Sequence, residues 1–295
     1  MEFTNVSDSG VSLPIRPRGI AFDLDGTLLD YDGRLDQSVA RSVRLISRSG
    51  IKVFLVTGRQ LSACERFWRE LDLSTPLATC NGAWVGLPSQ DPFLHIRLAQ
   101  EARDAVLGLE DAYNLYVNYY IDNRVYTFKD VPEREWYSRR FSLVEKLPDR
   151  DCPVFRRLPT KCLCIAPENE RDRFFNLFAE TLEKRAGITS SNNRFIEILP
   201  LGVDKAVGLK ALSEWSGIHL DNFIAVGDAM NDLPMLNAAG FSITFKSGDH
   251  RLADQVDMVL PPLWEDGADF LARCILGLSD SGRFLTPRSR RFVRK

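Results

Sequence analysis

Residues 18–24, Arg-Gly-Ile-Ala-Phe-Asp-Leu, form a short apolar run that ends in acidic residues, and the chain repeats this device. A second run, 51–59, follows a helix-like stretch at 35–50, giving strand, helix, strand. Further runs of this kind are 76–83 and 222–232, the latter preceded by a helix-like 204–217. Residues 241–245 predict a fifth strand and 264–278 a closing helix. Continuous apolar strands alternating with amphipathic helices imply an α/β fold, a parallel sheet covered on both faces. Polar residues at the strand exits then share one edge, and that edge is the candidate site.

Between about residues 86 and 193 the texture changes. The stretch 115–128 is rich in tyrosine and alternates, and the apolar 161–167 is followed by a helical 168–187. This predicts a separate α+β unit inserted into the parallel domain, with 195–200 carrying the chain back. The expected organisation is therefore a core of 1–85 and 194–295 interrupted by an insert of 86–193.

Bulk properties exclude several classes. A chain of 295 residues, 44% hydrophobic and 26% charged with net charge -2, is an ordinary globular protein with no bulk attraction to a polyanion. The first fourteen residues hold no apolar run of a secretory signal, and no segment has ~18 consecutive apolar residues, so a cytoplasmic protein without a membrane partner is expected. Six cysteines are scattered, and Cys162 and Cys164 alternate as on one face of a buried strand, which reads as reduced structural thiols. His95, His219 and His250 lack ligand spacing, so zinc is not expected. The basic stretch 283–295 reads as a solvated tail, and no nucleic-acid partner is expected.

The chemistry concentrates at the strand exits. Asp23 and Asp25, followed at once by Gly26 and Thr27, leave the first strand as Asp-x-Asp-Gly-Thr, a pattern with a chance on the order of one in 10⁵ per position. Thr57 and Gly58 offer a hydroxyl and bare backbone N–H groups to an anion, though taken alone a helix cap by Thr57 is the commoner explanation. Lys205 stands near a helix start, where a surface lysine is the commoner explanation. Asp228, Asn231 and Asp232 crowd the exit of the 222–232 run. Three aspartates on one edge repel unless a divalent cation neutralises them, and oxygen-only ligands suit Mg2+.

Taken in order, Asp-x-Asp-Gly-Thr, a strand ending in Thr-Gly-Arg, a lysine and Gly-Asp-x-x-Asn-Asp resemble the four motifs of the haloacid dehalogenase superfamily. Asn81-Gly82-Ala83, about 120 residues before Lys205, and Asp266-Gly267-Ala268 resemble more narrowly its Cof-type phosphatases. The resemblance implies a Rossmann-like parallel core with an inserted α+β cap that selects the leaving group. It implies Asp23 as nucleophile and Asp25 as acid and base. Mg2+ would be held by Asp23, Asp25, through its backbone or a nearby carbonyl, Asp228 and Asp232. Thr57, Gly58, Arg59, Asn81, Lys205 and Asn231 would serve the substrate. Asp204 and Ala206 flank Lys205 where relatives carry a small hydroxyl residue and glycine, and Ala229 replaces a common glycine.

The expected activity is Mg2+-dependent hydrolysis of a small phosphorylated metabolite, a sugar phosphate or phosphorylated cofactor, through an aspartyl-phosphate, by a monomer or homodimer. The rivals are a sugar phosphomutase of the same superfamily and a catalytically quiet protein that binds a phosphorylated ligand. In the insert, Tyr119, Tyr120, Asn123, Arg156 and Arg157 are candidates for specificity only because they are polar-tipped or charged, and ordinary surface or core positions are the favoured explanation.

Overall fold

A computed structural model describes residue 13 and residues 15–277. Its strands, in chain order, are β1 (Gly19–Phe22), β2 (Lys52–Leu55), β3 (Leu77–Thr79), β4 (Trp84–Gly86), β5 (Leu94–His95), β6 (Tyr116–Ile121) and β7 (Arg124–Thr127). They continue as β8 (Val144–Lys146), β9 (Lys161–Ile165), β10 (Ala186–Thr189), β11 (Phe195–Pro200), β12 (Phe223–Val226), β13 (Phe241–Phe245) and β14 (Met258–Leu260). The helices are α1 (Gln37–Arg48), α2 (Leu61–Glu70), α3 (Gln100–Tyr113), α4 (Pro132–Arg140), α5 (Arg171–Thr181), α6 (Lys205–Ser216), α7 (Leu233–Ala238) and α8 (Ala268–Leu276).

By contact density the chain forms two compact units. One comprises the described residues of Met1–Leu55, Glu70–Thr75 and Ser213–Lys295, and the other Val56–Arg69 and Pro76–Leu212. The first holds a five-stranded sheet in the order β14-β13-β12-β1-β2, with every pairing parallel. β1 lies between β12 and β2 and is wholly buried, because Gly19–Phe22 offers no polar side chain to either face. Gly19 has no room for a Cβ, which would lie 2.6 Å from the Phe223 ring. Asp36 caps α1 by accepting from the Ser38 N–H, and Val39, Ala40, Val43 and Ile46 form that helix's buried stripe.

The second unit holds a six-stranded sheet, β10-β11-β9-β6-β7-β8, and a three-stranded one, β3-β4-β5. Along the sequence both lie between β2 and β12, so they interrupt the parallel sheet's connectivity. The six-stranded sheet is buried on both faces. Val117, Tyr119, Ile121, Cys162 and Cys164 enter one core with Phe174 and Phe178 of α5. Tyr116, Tyr120, Leu163, Ile165 and Phe195 enter another with Tyr137 of α4. The period of two in the tyrosine-rich stretch produces this division. The alternating cysteines lie on one buried face, as their spacing predicts, and none of the six cysteines is bridged to another.

Four sequence expectations change. Residues 76–83 do not extend the parallel sheet. Only Val56 and Ala78 form a parallel bridge, and β3 pairs antiparallel with β4. The cause is the turn Cys80-Asn81-Gly82, where three consecutive residues take φ of 51, 55 and 91° and fold the chain straight back. The helix predicted to Gly187 stops at Thr181, and Ala186 opens β10. The closing helix starts only at Ala268, after an irregular turn over Leu263–Gly267. Residues 195–200, expected to return the chain, are themselves a strand of the six-stranded sheet. β14 carries no sequence signal, being three residues long. No helix among the described residues is long and apolar enough to cross a membrane. The tail at 283–295 lies outside the described residues.

Candidate active site

In the first unit Asp23 follows β1, and its N–H prolongs the parallel ladder by donating to Val226 O at 3.0 Å. The chain then turns within six residues. Leu29 N–H donates back to Leu24 O at 2.8 Å and Gly26 N–H to Leu29 O at 3.0 Å. Gly26 has φ +75°, and a Cβ there would lie 2.3 Å from Asp228 Oδ2. Only glycine both adopts that φ without strain and admits the neighbouring carboxylate. Thr27 Oγ1 donates to Asp228 Oδ1 at 3.0 Å. Asp232 accepts from the N–H groups of Asp228 at 3.0 Å and Ala229 at 2.9 Å, which fixes its carboxylate below the turn.

These bonds gather Asp23, Asp228 and Asp232, whose nearest carboxylate oxygens all lie within 4.8 Å of one another. Asp23 is 5% exposed and Asp232 fully buried. Burying like charges this close is costly unless a cation joins them. An all-oxygen donor set with no histidine or cysteine in it fits a hard divalent ion such as Mg2+. The Asp25 carboxylate is not part of this group, and Asp25 instead forms a backbone bridge with Leu29. Asn231 is 9% exposed, in the Met230–Asp232 turn.

The other sequence candidates lie in the second unit. Thr57 is fully buried. Its hydroxyl accepts from Arg59 N–H at 3.1 Å, whereas α2 begins only at Leu61. The threonine therefore closes a turn rather than capping the helix. Arg59 is 8% exposed, with its guanidinium 5.5 and 5.6 Å from the Phe67 and Phe141 ring centres. Asn81 N–H donates to Thr57 O at 2.9 Å, so the two loops are joined directly. A Cβ on Gly58 would lie 3.2 Å from Asn81 Oδ1. Lys205 opens α6 and is 1% exposed, which removes the surface-lysine explanation.

Two of the three sequence departures, Asp204 and Ala229, have local reasons. Asp204 Oδ1 accepts from Ala206 N–H at 2.8 Å and Val207 N–H at 3.1 Å, the capping work a hydroxyl residue would do. Ala229 has φ −123°, so its position does not need glycine.

Sequence reasoning missed Lys161 and Glu197. They form an ion pair whose side chains are each 3% exposed. Glu197 Oε2 also accepts from Asn81 Nδ2 at 2.8 Å, and Lys161 Nζ donates to Gly58 O at 2.7 Å. Burial pushes the Glu197 carboxyl upward, and the Lys161 ammonium outweighs that push and holds it below its ordinary value. Neither residue lies in a motif. The one hint is a charge inside each of two otherwise apolar strands.

Of the cap candidates, Tyr119 is a core residue with its hydroxyl on Glu110 Oε2 at 2.6 Å, and Tyr120 meets the Tyr137 hydroxyl. Asn123 Oδ1 accepts from Ser62 N–H at 2.9 Å, and Arg157 pairs with Asp122. In the same unit a cavity of about 230 Å³ is lined by Gln60, Cys80, Trp84, His95, Tyr120 and Thr160 among others.

Residues 20–269 match the model of the haloacid dehalogenase-like hydrolases. The chain belongs to that family. Within it the chain is a Cof-type hydrolase, a phosphoric monoester hydrolase by class. It is 27% identical over 260 residues to the 5-amino-6-(5-phospho-D-ribitylamino)uracil phosphatase YitU of Bacillus subtilis, covering 85% of this chain and 95% of that one. It is 30% identical over 229 residues to an HMP-PP phosphatase of Cronobacter sakazakii, covering 75% and 80% respectively. A crystal structure from Thermotoga maritima superposes with a TM-score of 0.75 at 25% identity, covering 87% of this chain and 97% of that one.

Proposed function

We propose that this haloacid dehalogenase-like hydrolase is a Mg2+-dependent phosphatase that removes the phosphate from a small phosphorylated metabolite through an aspartyl-phosphate on Asp23. The observation that carries the reading is the Asp23, Asp228 and Asp232 group, with its carboxylate oxygens within 4.8 Å of one another directly after two neighbouring parallel strands.

Asp23, held by its backbone bond to Val226, is the nucleophile. Its carboxylate oxygen bonds to phosphorus while the bond from phosphorus to the leaving oxygen breaks. Asp25 gives its proton to that oxygen, so the product departs as an alcohol. In the second step Asp25, now ionised, takes a proton from water, whose oxygen attacks phosphorus and frees Asp23 and inorganic phosphate. The covalent intermediate divides one difficult displacement into two, each with a group already in place.

Asp23, Asp228 and Asp232 would hold Mg2+, with the Asp25 backbone region beside them. When bound, the ion supplies positive charge that offsets the carboxylates and the phosphoryl oxygens. Thr57, Gly58 and Lys205 receive those oxygens, and Asn81 and Asn231 support the substrate. Arg59, with its guanidinium 5.5 and 5.6 Å from the Phe67 and Phe141 ring centres, joins them on the substrate side.

The first relative's name describes a phosphate on a ribityl chain joined to uracil. A phosphorylated sugar or a phosphorylated cofactor-related compound is the proposed substrate class here, with segment 86–193 acting as the cap that selects the leaving group. Phosphate release from a panel of such esters tests the reading. Release is expected with Mg2+, and it should vanish in Asp23→Asn and after chelation. Release that survives Asp23→Asn, or tight binding of an ester without turnover, would overturn it.

A further inference from the structure

We propose that the buried Lys161–Glu197 ion pair is a positioning device that fixes the two loops receiving the phosphoryl group, an inference that rests on the roles given above to Thr57, Gly58 and Asn81. The pair reaches both loops at once. Lys161 stands at the start of β9 and Glu197 within β11, the strand paired beside it. The Lys161 ammonium has three donors and three acceptors: Gly58 O at 2.7 Å, the Glu197 carboxylate and the face of Tyr120, whose ring centre lies 4.7 Å away. Glu197 Oε2 takes Asn81 Nδ2 at 2.8 Å as well. The Thr57–Arg59 loop thus hangs on the cation and the Asn81 loop on the anion.

The Asn81 loop needs such a hold. Cys80 and Asn81 both carry positive φ without being glycine, a conformation that persists only where its surroundings enforce it. Asn81 N–H on Thr57 O, at 2.9 Å, and Cys80 N–H on Arg59 O, at 2.8 Å, transmit the position of one loop to the other. Gly82 then lies against the start of α6, where a Cβ would come 2.4 Å from Asp204 O, beside Lys205. Thr57, Gly58, Asn81 and Lys205 are therefore linked into one assembly through a pair of charges that touch nothing outside the protein.

Energetics argue for the same role. A buried ion pair adds little stability over apolar residues of the same volume, because desolvation offsets the attraction, whereas removing one partner is severe. Stability alone gives this chain no reason to bury a lysine and a glutamate here. A requirement for a donor on Gly58 O and an acceptor for Asn81 does.

The test uses the full chain and compares native protein with Lys161→Met, Glu197→Leu and the double variant. Thermal melting, turnover of p-nitrophenyl phosphate with inorganic phosphate as competitor, and hydrogen exchange over residues 56–61 and 79–83 are measured on each. Lys161→Met should melt well below the double variant, since it leaves the Glu197 charge buried without its cation. The double variant should melt near the native temperature yet bind phosphate about tenfold more weakly, the scale of one lost charge-assisted hydrogen bond. KM should rise more than kcat falls, and exchange should quicken in both loops. Native phosphate affinity together with native exchange in the double variant would overturn the proposal. If the double variant does not fold, Lys161→Met alone, which removes the donor on Gly58 O, is judged by phosphate affinity and by exchange over residues 56–61. A native chain that turns over no ester refutes the phosphatase reading, and the exchange rates still decide whether the pair holds the loops.

Discussion

Gly26 and Glu110 show how single residues carry the energetics of the two units. Gly26→Ala meets two penalties, the left-handed φ of +75° and a Cβ 2.3 Å from Asp228 Oδ2. The strain alone costs on the order of 1–2 kcal/mol, and the clash must be relieved by moving Asp228. The expected result is a lower melting temperature and Mg2+-dependent turnover reduced by at least about tenfold, both read on purified variant. Unchanged turnover would mean that Asp228 has no part in the reaction. Glu110 is 1% exposed and accepts from Tyr119. Burial pushes its carboxyl above the ordinary 4.5, against the Tyr119 hydrogen bond and the charges of Lys129 and Arg150. A carboxyl raised in the folded state stabilises fully below its unfolded value, and that contribution is lost as pH rises through the folded one. Glutamine cannot ionise. The melting temperature of Glu110→Gln minus that of the native chain should therefore increase between about pH 4 and pH 8, and a difference that stays flat over that range would show that burial does not raise the Glu110 carboxyl.

At the scale of elements, the turn Cys80–Gly82 separates what periodicity can say from what it cannot. The apolar run 76–83 looks like its parallel neighbours, and three positive φ values turn it into a hairpin instead. Asparagine and glycine hint at such a turn, but Cys80 at φ 51° carries no sequence signal at all. By contrast β1 and β12 are legible because each is buried throughout and unbroken in its apolar character, and β2 and β13 because they depart from that pattern only at Lys52, Ser242 and Thr244. The turn makes a quantitative prediction by comparison with Gly50. Both glycines have similar φ, +94° at Gly50 and +91° at Gly82, but nothing lies within 4 Å of a Cβ at Gly50, while at Gly82 Asp204 O is 2.4 Å away. Gly50→Ala should cost about 1 kcal/mol, the backbone term alone. Gly82→Ala should cost at least about twice that and weaken phosphate binding, because it pushes on the first turn of α6 beside Lys205. Equal losses in denaturant titrations of the two variants would show that the contact with α6 is soft.

Across the whole molecule, the legible part of the site is the part in which motif residues act near their own strand ends. Asp23, Asp228 and Asp232 follow β1 and β12, two adjacent strands, so a strand-by-strand reading brings them together. Lys161 and Glu197 were not legible because their bonds span 103 positions to Gly58 and 116 to Asn81, contacts that only the folded sheet creates. The carboxylate group also has a thermodynamic signature, because folding gathers three charges that the unfolded chain keeps apart. A cation that binds only the folded group stabilises by about 2.7 kcal/mol at a hundred times its dissociation constant, which for a chain of this size raises the melting temperature by roughly 5 °C. Melting native protein in Mg2+ and in chelator should reveal that shift. Asp228→Asn should lose it, and in chelator should melt no lower than the native chain, since one of three mutually repelling charges is gone. The two outcomes are separable. A native chain indifferent to Mg2+ refutes the metal site, whereas a variant that keeps the full shift leaves the ion in place and removes Asp228 from its ligands.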